Sequence, residues 1–333
     1  MRKYLRAIAS LATLAVVVTA NLLPAAYAAT ASTTAGQALE IAPPLIYLNV
    51  SPGQTAKAQV LIRDVSPTNL TVSGTVNDFV ADGDTGAPKV LLNNDSNNPF
   101  TLKTWIAPLP SLDLVPKQIK TLPVTINVPA DASPGGHYGV IRFTATAPAL
   151  NGQTNGVSLA ASIGALMLLT VSGNITQNLN VQSFTASHNG HSGSFFQSGP
   201  IGFNELLKNT GNVHVQPTGQ VVVKDMFGKK IGAVNVNLPL GNILPSSSRK
   251  FSQSLDKSVI GNKRLFGHYT ATLSLTYGTS KKTLTSKISF WVIPLKTVAL
   301  IIVLLIALFF AVRYGLRRYN RYILNQNNRR DSK

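Results

Sequence analysis

Three aspartates stand close together in N-D-F-V-A-D-G-D-T-G-A-P: Asp78, Asp82 and Asp84. Carboxylates at this spacing could offer oxygen ligands to calcium. The run lacks the alternating acids and terminal glutamate of a calcium loop, and a polar Asp-Gly turn accounts for it equally. His188 and His191 have a spacing open to zinc, but they sit in a Ser/Gly/Asn-rich loop without a nearby carboxylate. His137, His214 and His268 are scattered. Glu40 and Glu205 are the only glutamates, so general acids are scarce. No G-x-S-x-G elbow, H-E-x-x-H pair or phosphate loop occurs. With no cysteine in the chain, thiolate metal sites and cysteine nucleophiles are excluded. Trp105 and Trp291 read as core and interface anchors rather than sugar platforms. These residues assign no catalytic, cofactor-binding or metal site, and the expectation is a protein that is not an enzyme and carries no cofactor.

The elements that carry these residues are fixed from the C-terminal side. Between Val292 and Val312 the only charge is Lys296. A helix of that length rises roughly 30 Å, the thickness of a bilayer's hydrocarbon core. Arg313, Arg317, Arg318 and Arg321 follow, mixed with Tyr314, Tyr319 and Tyr322. Positive charge marks the cytoplasmic side. Residues 294–313 are therefore expected to cross the cell membrane once, with a basic cytoplasmic tail at 314–333 and the N-terminal part outside. At the front, Arg2, Lys3 and Arg6 precede an apolar run and the A-x-A site Ala26-Tyr27-Ala28, which reads as a signal peptide over 1–28. A flexible leader, 29–37, follows. No sortase motif is present; Leu238-Pro239-Leu240-Gly241 lies too far upstream and lacks the threonine.

The exported part suits two domains, 38–173 and 174–293. Without disulfides each must be held by its own core. The net charge of +18 is unevenly spread. Residues 29–173 hold 7 Lys+Arg against 8 Asp+Glu, a net of −1, and residues 174–293 hold 12 against 3, a net of +9. A basic domain outside the cell and beside the membrane suits anionic headgroups or wall polymers better than nucleic acid, and a solvated, soluble surface accounts for the charge equally. Lys229, Lys230, Arg249, Lys250, Lys263, Arg264, Lys281 and Lys282 are the candidate contacts, mainly in expected turns; if those turns gather at the membrane-facing end of the sandwich, the field draws that end towards such anions.

Period-two alternation runs through both halves. Ala58, Val60 and Ile62, then Leu122, Val124 and Ile126, then Tyr269, Ala271, Leu273, Leu275 and Tyr277 alternate with polar neighbours. That pattern gives strands with one buried face. Val221–Val223 and then Val234, Val236 and Leu238 continue it, and Leu284 to Val292 forms a last strand running almost directly into the membrane helix. Pro123 belongs on an edge or at a bulge. Val157–Val171 is apolar, but Ser158, Ser162 and Gly164 and the absence of a basic flank favour a central strand. Gly136-His137-Tyr138 and Gly267-His268-Tyr269 each enter a strand late in their half, which suggests an internal repeat. Many short strands with regular turns argue for β-sandwiches, so the fold expected is all-β: two tandem immunoglobulin-like sandwiches and one C-terminal transmembrane helix.

A-P-P-L-I-Y-L-N-V-S-P-G-Q (Ala42–Gln54), W-I-A-P (Trp105–Pro108) and P-A-D-A-S-P-G-G-H-Y-G-V-I-R-F (Pro129–Phe143) resemble the first domain of bacterial WxL-interacting proteins. L-L-K-N-T-G-N-V-H-V (Leu206–Val215), a basic second domain, one membrane helix and a basic tail resemble the rest. M-F-G-K-K (Met226–Lys230) and F-W-V-I-P (Phe290–Pro294) place the chain on a divergent branch. The resemblance implies a membrane-anchored scaffold whose first domain engages peptidoglycan and a surface protein bearing a WxL domain. Physically, a sandwich edge or face can accept another chain. The alternatives are an immunoglobulin-type export chaperone, with Ala165–Val171 as the strand it lends, and a wall-carbohydrate hydrolase, which lacks acids.

Overall fold

The computed structural model describes residues 39–92, 98–146 and 162–330, with side chains through residue 319. The signal peptide and leader read from the sequence lie outside the described residues. The first nine strands are β1 (Leu39–Ala42), β2 (Leu45–Val50), β3 (Thr55–Asp64), β4 (Leu70–Ala81), β5 (Pro88–Leu91), β6 (Leu112–Leu114), β7 (Ile119–Asn127), β8 (Gly135–Thr146) and β9 (Ser162–Val171). One sheet has the order β1-β3-β7; the other runs β2-β9-β8-β4-β5, with β6 beside β4. The chain crosses between the sheets at Pro43-Pro44, where the missing N–H groups interrupt the ladder. Val60, Ile62, Leu122, Val124 and Ile126 face Ile141, Phe143, Met167 and Leu169, all at most 1 % exposed. Pro123 lies on β7, an edge strand, as a residue without an N–H requires.

The second sandwich contains β10 (Leu179–His188), β11 (His191–Ser192), β12 (Phe195–Phe196), β13 (Ile201–Asn209), β14 (Thr218–Asp225), β15 (Lys230–Val236), β16 (Ser248–Leu255), β17 (Gly267–Tyr277) and β18 (Lys282–Val292). Its sheets have the orders β11-β10-β13-β16 and β12-β18-β17-β14-β15. The second of these repeats the larger sheet of the first sandwich place for place. In each, the first strand pairs in parallel with its neighbour, β2 with β9 and β12 with β18. The remaining pairs are antiparallel. The repeat read from the two G-H-Y segments is thus a repeat of topology: β8 and β17 occupy the same position. Both sandwiches are immunoglobulin-like.

Three local readings change. His188 and His191 do not sit in an open loop; they pair across a β-hairpin whose turn is Asn189-Gly190, with φ of 50° and 83°. Asn-Gly supplies both positive φ values that such a tight turn needs. Leu238 is not a strand residue: β15 stops at Val236, and Leu238 is exposed ahead of Pro239. The C-terminal helix, Leu295–Arg330, runs on beyond the expected end at residue 313, because no proline interrupts the Arg- and Tyr-rich segment. Its stretch Leu295–Tyr319 is long and apolar enough to cross a membrane. Ser162–Val171 is a strand, consistent with its interrupted apolar pattern.

Candidate functional site

Two of the segments that carry the sequence resemblance, Pro129–Phe143 and Leu206–Val215, meet in space. Asn212, in the turn after β13, lies against the start of β8. Its backbone oxygen accepts from Gly136 N at 2.8 Å, and its Nδ2 donates to Pro134 O at 3.2 Å and Asn174 O at 2.9 Å. Its Oδ1 accepts from Thr176 N at 2.7 Å. Gly135 has φ of 130° and a built Cβ would stand 2.5 Å from Asn212 O, so only glycine fits there. Three residues on, the buried Tyr138 hydroxyl accepts from His214 N at 2.9 Å and lies 3.4 Å from His214 Nδ1. Burial pushes the tyrosine hydroxyl above its ordinary range and lowers the His214 imidazole to about 4. A neutral imidazole can accept at Nδ1, so the pair is matched in its uncharged form.

An apolar layer closes the same joint. Phe79, Tyr138 and Leu168 form a cluster on the outer face of the larger first-sandwich sheet, and Leu244 of the second sandwich packs on it. Beside it is a crevice of about 230 Å³ lined by Leu45, Phe79, Leu166, Leu168, Leu240 and Arg249. The Arg249 side chain lies over Gly86 and Gly241, its Nη1 donates to Asn242 O at 2.9 Å, and its guanidinium stands 5.4 Å from the Phe251 ring centre. Burial lowers its pKa. Asn242 Nδ2 also donates to the Tyr47 hydroxyl at 2.7 Å, and Lys250 N donates to Asp84 O at 2.6 Å. The sandwiches are therefore joined by hydrogen bonds at several separate points.

The three aspartates do not converge on one point. Asp78 Oδ1 accepts from Leu102 N and Lys103 N, both at 3.0 Å, and so holds the turn that carries Trp105. Asp82 and Asp84 are in the β4–β5 turn, where the Asp82 backbone bonds Ala87 and Thr85. His137 is buried with Nδ1 3.0 Å from Thr101 O and Nε2 3.0 Å from Ser133 O, and Trp105 packs on it at 4.2 Å between ring centres. His268 packs on Trp291 at 5.0 Å in the matching position of the second sandwich. Glu205 points into the core of the second sandwich and is fully buried. With its nitrogen turned inward, the Gln253 amide donates to Glu205 Oε1 and Oε2 at 3.1 and 2.6 Å. Burial nevertheless raises the Glu205 carboxyl to about 8. Among the described residues no group of three or more His, Cys, Asp or Glu is arranged to hold a metal ion.

The basic residues divide. Arg249 and Lys250 belong to the joint. Lys281 and Lys282 lie in the β17–β18 hairpin, away from the C-terminal helix, and Lys282 Nζ donates to Gln177 O at 3.0 Å. Lys229 and Lys230 are in the β14–β15 turn, and Lys263 and Arg264 precede β17; both segments are at the end of the sandwich where Val292 pairs with Gly267 and the helix begins. The condition that these turns gather at the membrane-facing end holds for Lys229, Lys230, Lys263 and Arg264 and not for the other four, because β-hairpins place successive turns at opposite ends of a sandwich.

No family model and no curated protein sequence matches this chain. Solved structures similar to it include the class 5 fimbriae chaperone CfaA, at 15% identity and a TM-score of 0.39 over 75% of this chain and 98% of that one. The YadV chaperone aligns at 13% identity and a TM-score of 0.36, over 76% of this chain and 100% of its own. The E. coli chaperone DraB aligns at 12% identity and a TM-score of 0.36, over 76% and 96%. Likeness this loose carries nothing about partners or activity.

Proposed function

We propose that this chain is a non-catalytic, membrane-anchored binding protein that holds a surface protein at the cell envelope, with its sandwiches outside and its C-terminus in the cytoplasm. The observation that carries the reading is mechanical continuity. The Asn212 and Tyr138 contacts fix the first sandwich to the second, and only Ile293 and Pro294 separate β18 from the apolar helix. Such a strut keeps the first sandwich at a set height above a bilayer. The partner docks on an edge or face of that sandwich by strand addition or face packing. The sequence resemblance makes a WxL-domain protein the first candidate, with peptidoglycan or an anionic wall polymer as a second contact.

An export chaperone is the second reading, and β9 bears on it. From Leu166 to Val171 this strand is hydrogen-bonded on both sides, to β2 and to β8. Lending that stretch to a client requires β2 to leave. Only Ser162–Ala165 pairs with β8 alone. The hydrolase reading loses its acids, since Asp78 caps a turn and Glu205 is buried in a core. The test is in-cell photocrosslinking from the exposed face of the first sandwich, at Gln59 or Thr121, in the full chain. An adduct retained through a chase supports an anchor. An adduct that forms on newly made clients and then disappears supports a chaperone.

A further inference from the structure

At the helix end of the second sandwich lies an apolar groove of about 800 Å³. Leu255, Ile260, Leu265 and Phe266 line it, and Pro294 and Thr297 carry its wall onto the first turn of the C-terminal helix. Lys257, Lys263 and Arg264 stand in the same groove. Among the described residues the one ion pair is Arg63–Glu40, so these three cations have no carboxylate partner. The groove's single acid, Asp256, is already engaged: its Oδ1 accepts from Ser258 N at 2.9 Å and from the Ser258 hydroxyl at 2.5 Å. Those bonds hold its carboxyl below the usual range, so it stays charged and occupied.

The surroundings say what fills the groove. Phe266 is 63% exposed and Phe227 87%, and Trp291 and Phe195 are also exposed. Strand register puts all four at this end: Phe195 pairs with Trp291, Gly267 with Val292, and Asp225, just before the Met226-Phe227 turn, with Tyr269. Exposed aromatic rings beside lysines and the start of an apolar helix form the collar expected at a headgroup layer. A soluble anion would use the cations but leave the apolar lining wet. An acyl chain would use the lining but not the cations. A molecule with both parts, available at this height, is a membrane lipid.

We propose that this groove is a site for one anionic phospholipid of the outer leaflet. Its phosphate lies among Lys257, Lys263 and Arg264, and its upper acyl chain lies along Ile260, Leu265 and Phe266. The site would fix the rotation of the strut about its own helix, which a single span alone leaves free. The proposal rests on the reading of the C-terminal helix as the membrane span.

The test uses the full chain in detergent micelles, with native mass spectrometry during titration by phosphatidylglycerol or by phosphatidylcholine of the same chains. Wild type should retain one phosphatidylglycerol about tenfold more strongly than phosphatidylcholine. The double variant Lys263→Ala/Arg264→Ala should lose that preference. Ser198→Trp, which fills the groove from an exposed position, should lower retention of both lipids, and Lys282→Ala at the far end should change nothing. Equal retention of the two lipids by wild type, or unchanged preference in the double variant, overturns the site; the second result would put the lipid on Arg313, Arg317 and Arg318. Displacement of the lipid by soluble poly(glycerol phosphate) at matched phosphate concentration would assign the cations to a wall polymer and overturn it too. A chain that fractionates free of membranes would overturn the span itself, a separate failure.

Discussion

The Tyr138 hydroxyl accepts the His214 backbone N–H at 2.9 Å, across the boundary between two sandwiches and 76 residues of sequence. Tyr138 sits in β8 among Phe79, Phe100 and Leu168, so the bond is made inside an apolar layer. Removing the hydroxyl leaves a partly buried N–H without its acceptor. Tyr138→Phe should therefore cost about 1–3 kcal/mol. The loss should appear mainly as independent motion of the sandwiches, read as a broadened pair-distance distribution between spin labels on each. An unchanged distribution would remove this bond from the account of the joint.

A steric test of the same joint is Gly135→Ala. The new methyl would meet the Asn212 carbonyl in a backbone conformation that alanine rarely adopts. Cleavage by a protease between residues 172 and 178 should become faster, while each sandwich keeps its own amide protection. Gly190→Ala, with a positive φ but open space around it, should leave that cleavage rate at the wild-type value.

Two buried groups pull stability in opposite directions with pH. The unfolded Glu205 carboxyl ionises above about 4.5, while the folded one keeps its proton up to about 8. Folded stability therefore falls as pH rises through that window, by up to about 5 kcal/mol. For His214 the unfolded imidazole takes a proton below about 6.5 and the folded one only below about 4. Its contribution, about 3 kcal/mol, is present above 6.5 and lost as pH falls toward 4. Between 4.5 and 6.5 the two slopes oppose; between 6.5 and 8 only Glu205 acts. Chemical denaturation should show a shallow profile at acid pH and a decline from 6.5 to 8. Glu205→Gln should abolish that decline and leave a profile rising from 4 to 6.5. A decline that persists in Glu205→Gln would mean that another group titrates.

Topology gives a further expectation. Protease added outside intact cells should remove the sandwiches and spare an epitope placed after Arg330. A protected sandwich with a cleaved epitope would reverse the orientation read from Arg313, Arg317 and Arg318.

Much of the fold was legible because its signals are local. Alternation at Val60–Ile62, Leu122–Ile126 and Tyr269–Tyr277 fixes the buried faces, and the alternate apolar residues Val60, Ile62, Leu122, Val124, Ile126, Tyr269, Ala271, Leu273, Leu275 and Tyr277 point inward. The two G-H-Y segments mark equivalent strands, although their tyrosines end differently: Tyr138 crosses to His214, and the Tyr269 hydroxyl donates to Phe266 O at 3.1 Å. The sites were harder to read. That Asn212 grips the start of β8, or that Asp78 caps the Trp105 turn, depends on long-range register that alternation leaves open. The lysines misled for the same reason. Charge counts place them in a domain, but the alternate ends of hairpins decide which ones reach the helix. The groove lined by Ile260 and Phe266 has no sequence signature, since its residues come from three separate turns and the helix.

The central claim is that the first sandwich holds a partner while the chain stays in the membrane. It is tested most directly by pulse-labelling cells that express the full chain with a photoreactive group at Gln59, then crosslinking after increasing chase times. The account predicts one dominant adduct, at constant yield relative to the chain throughout the chase, found in the membrane fraction. An adduct whose yield decays as labelled clients leave, or the absence of any adduct at Gln59 and at Thr121 on the neighbouring strand, would contradict it.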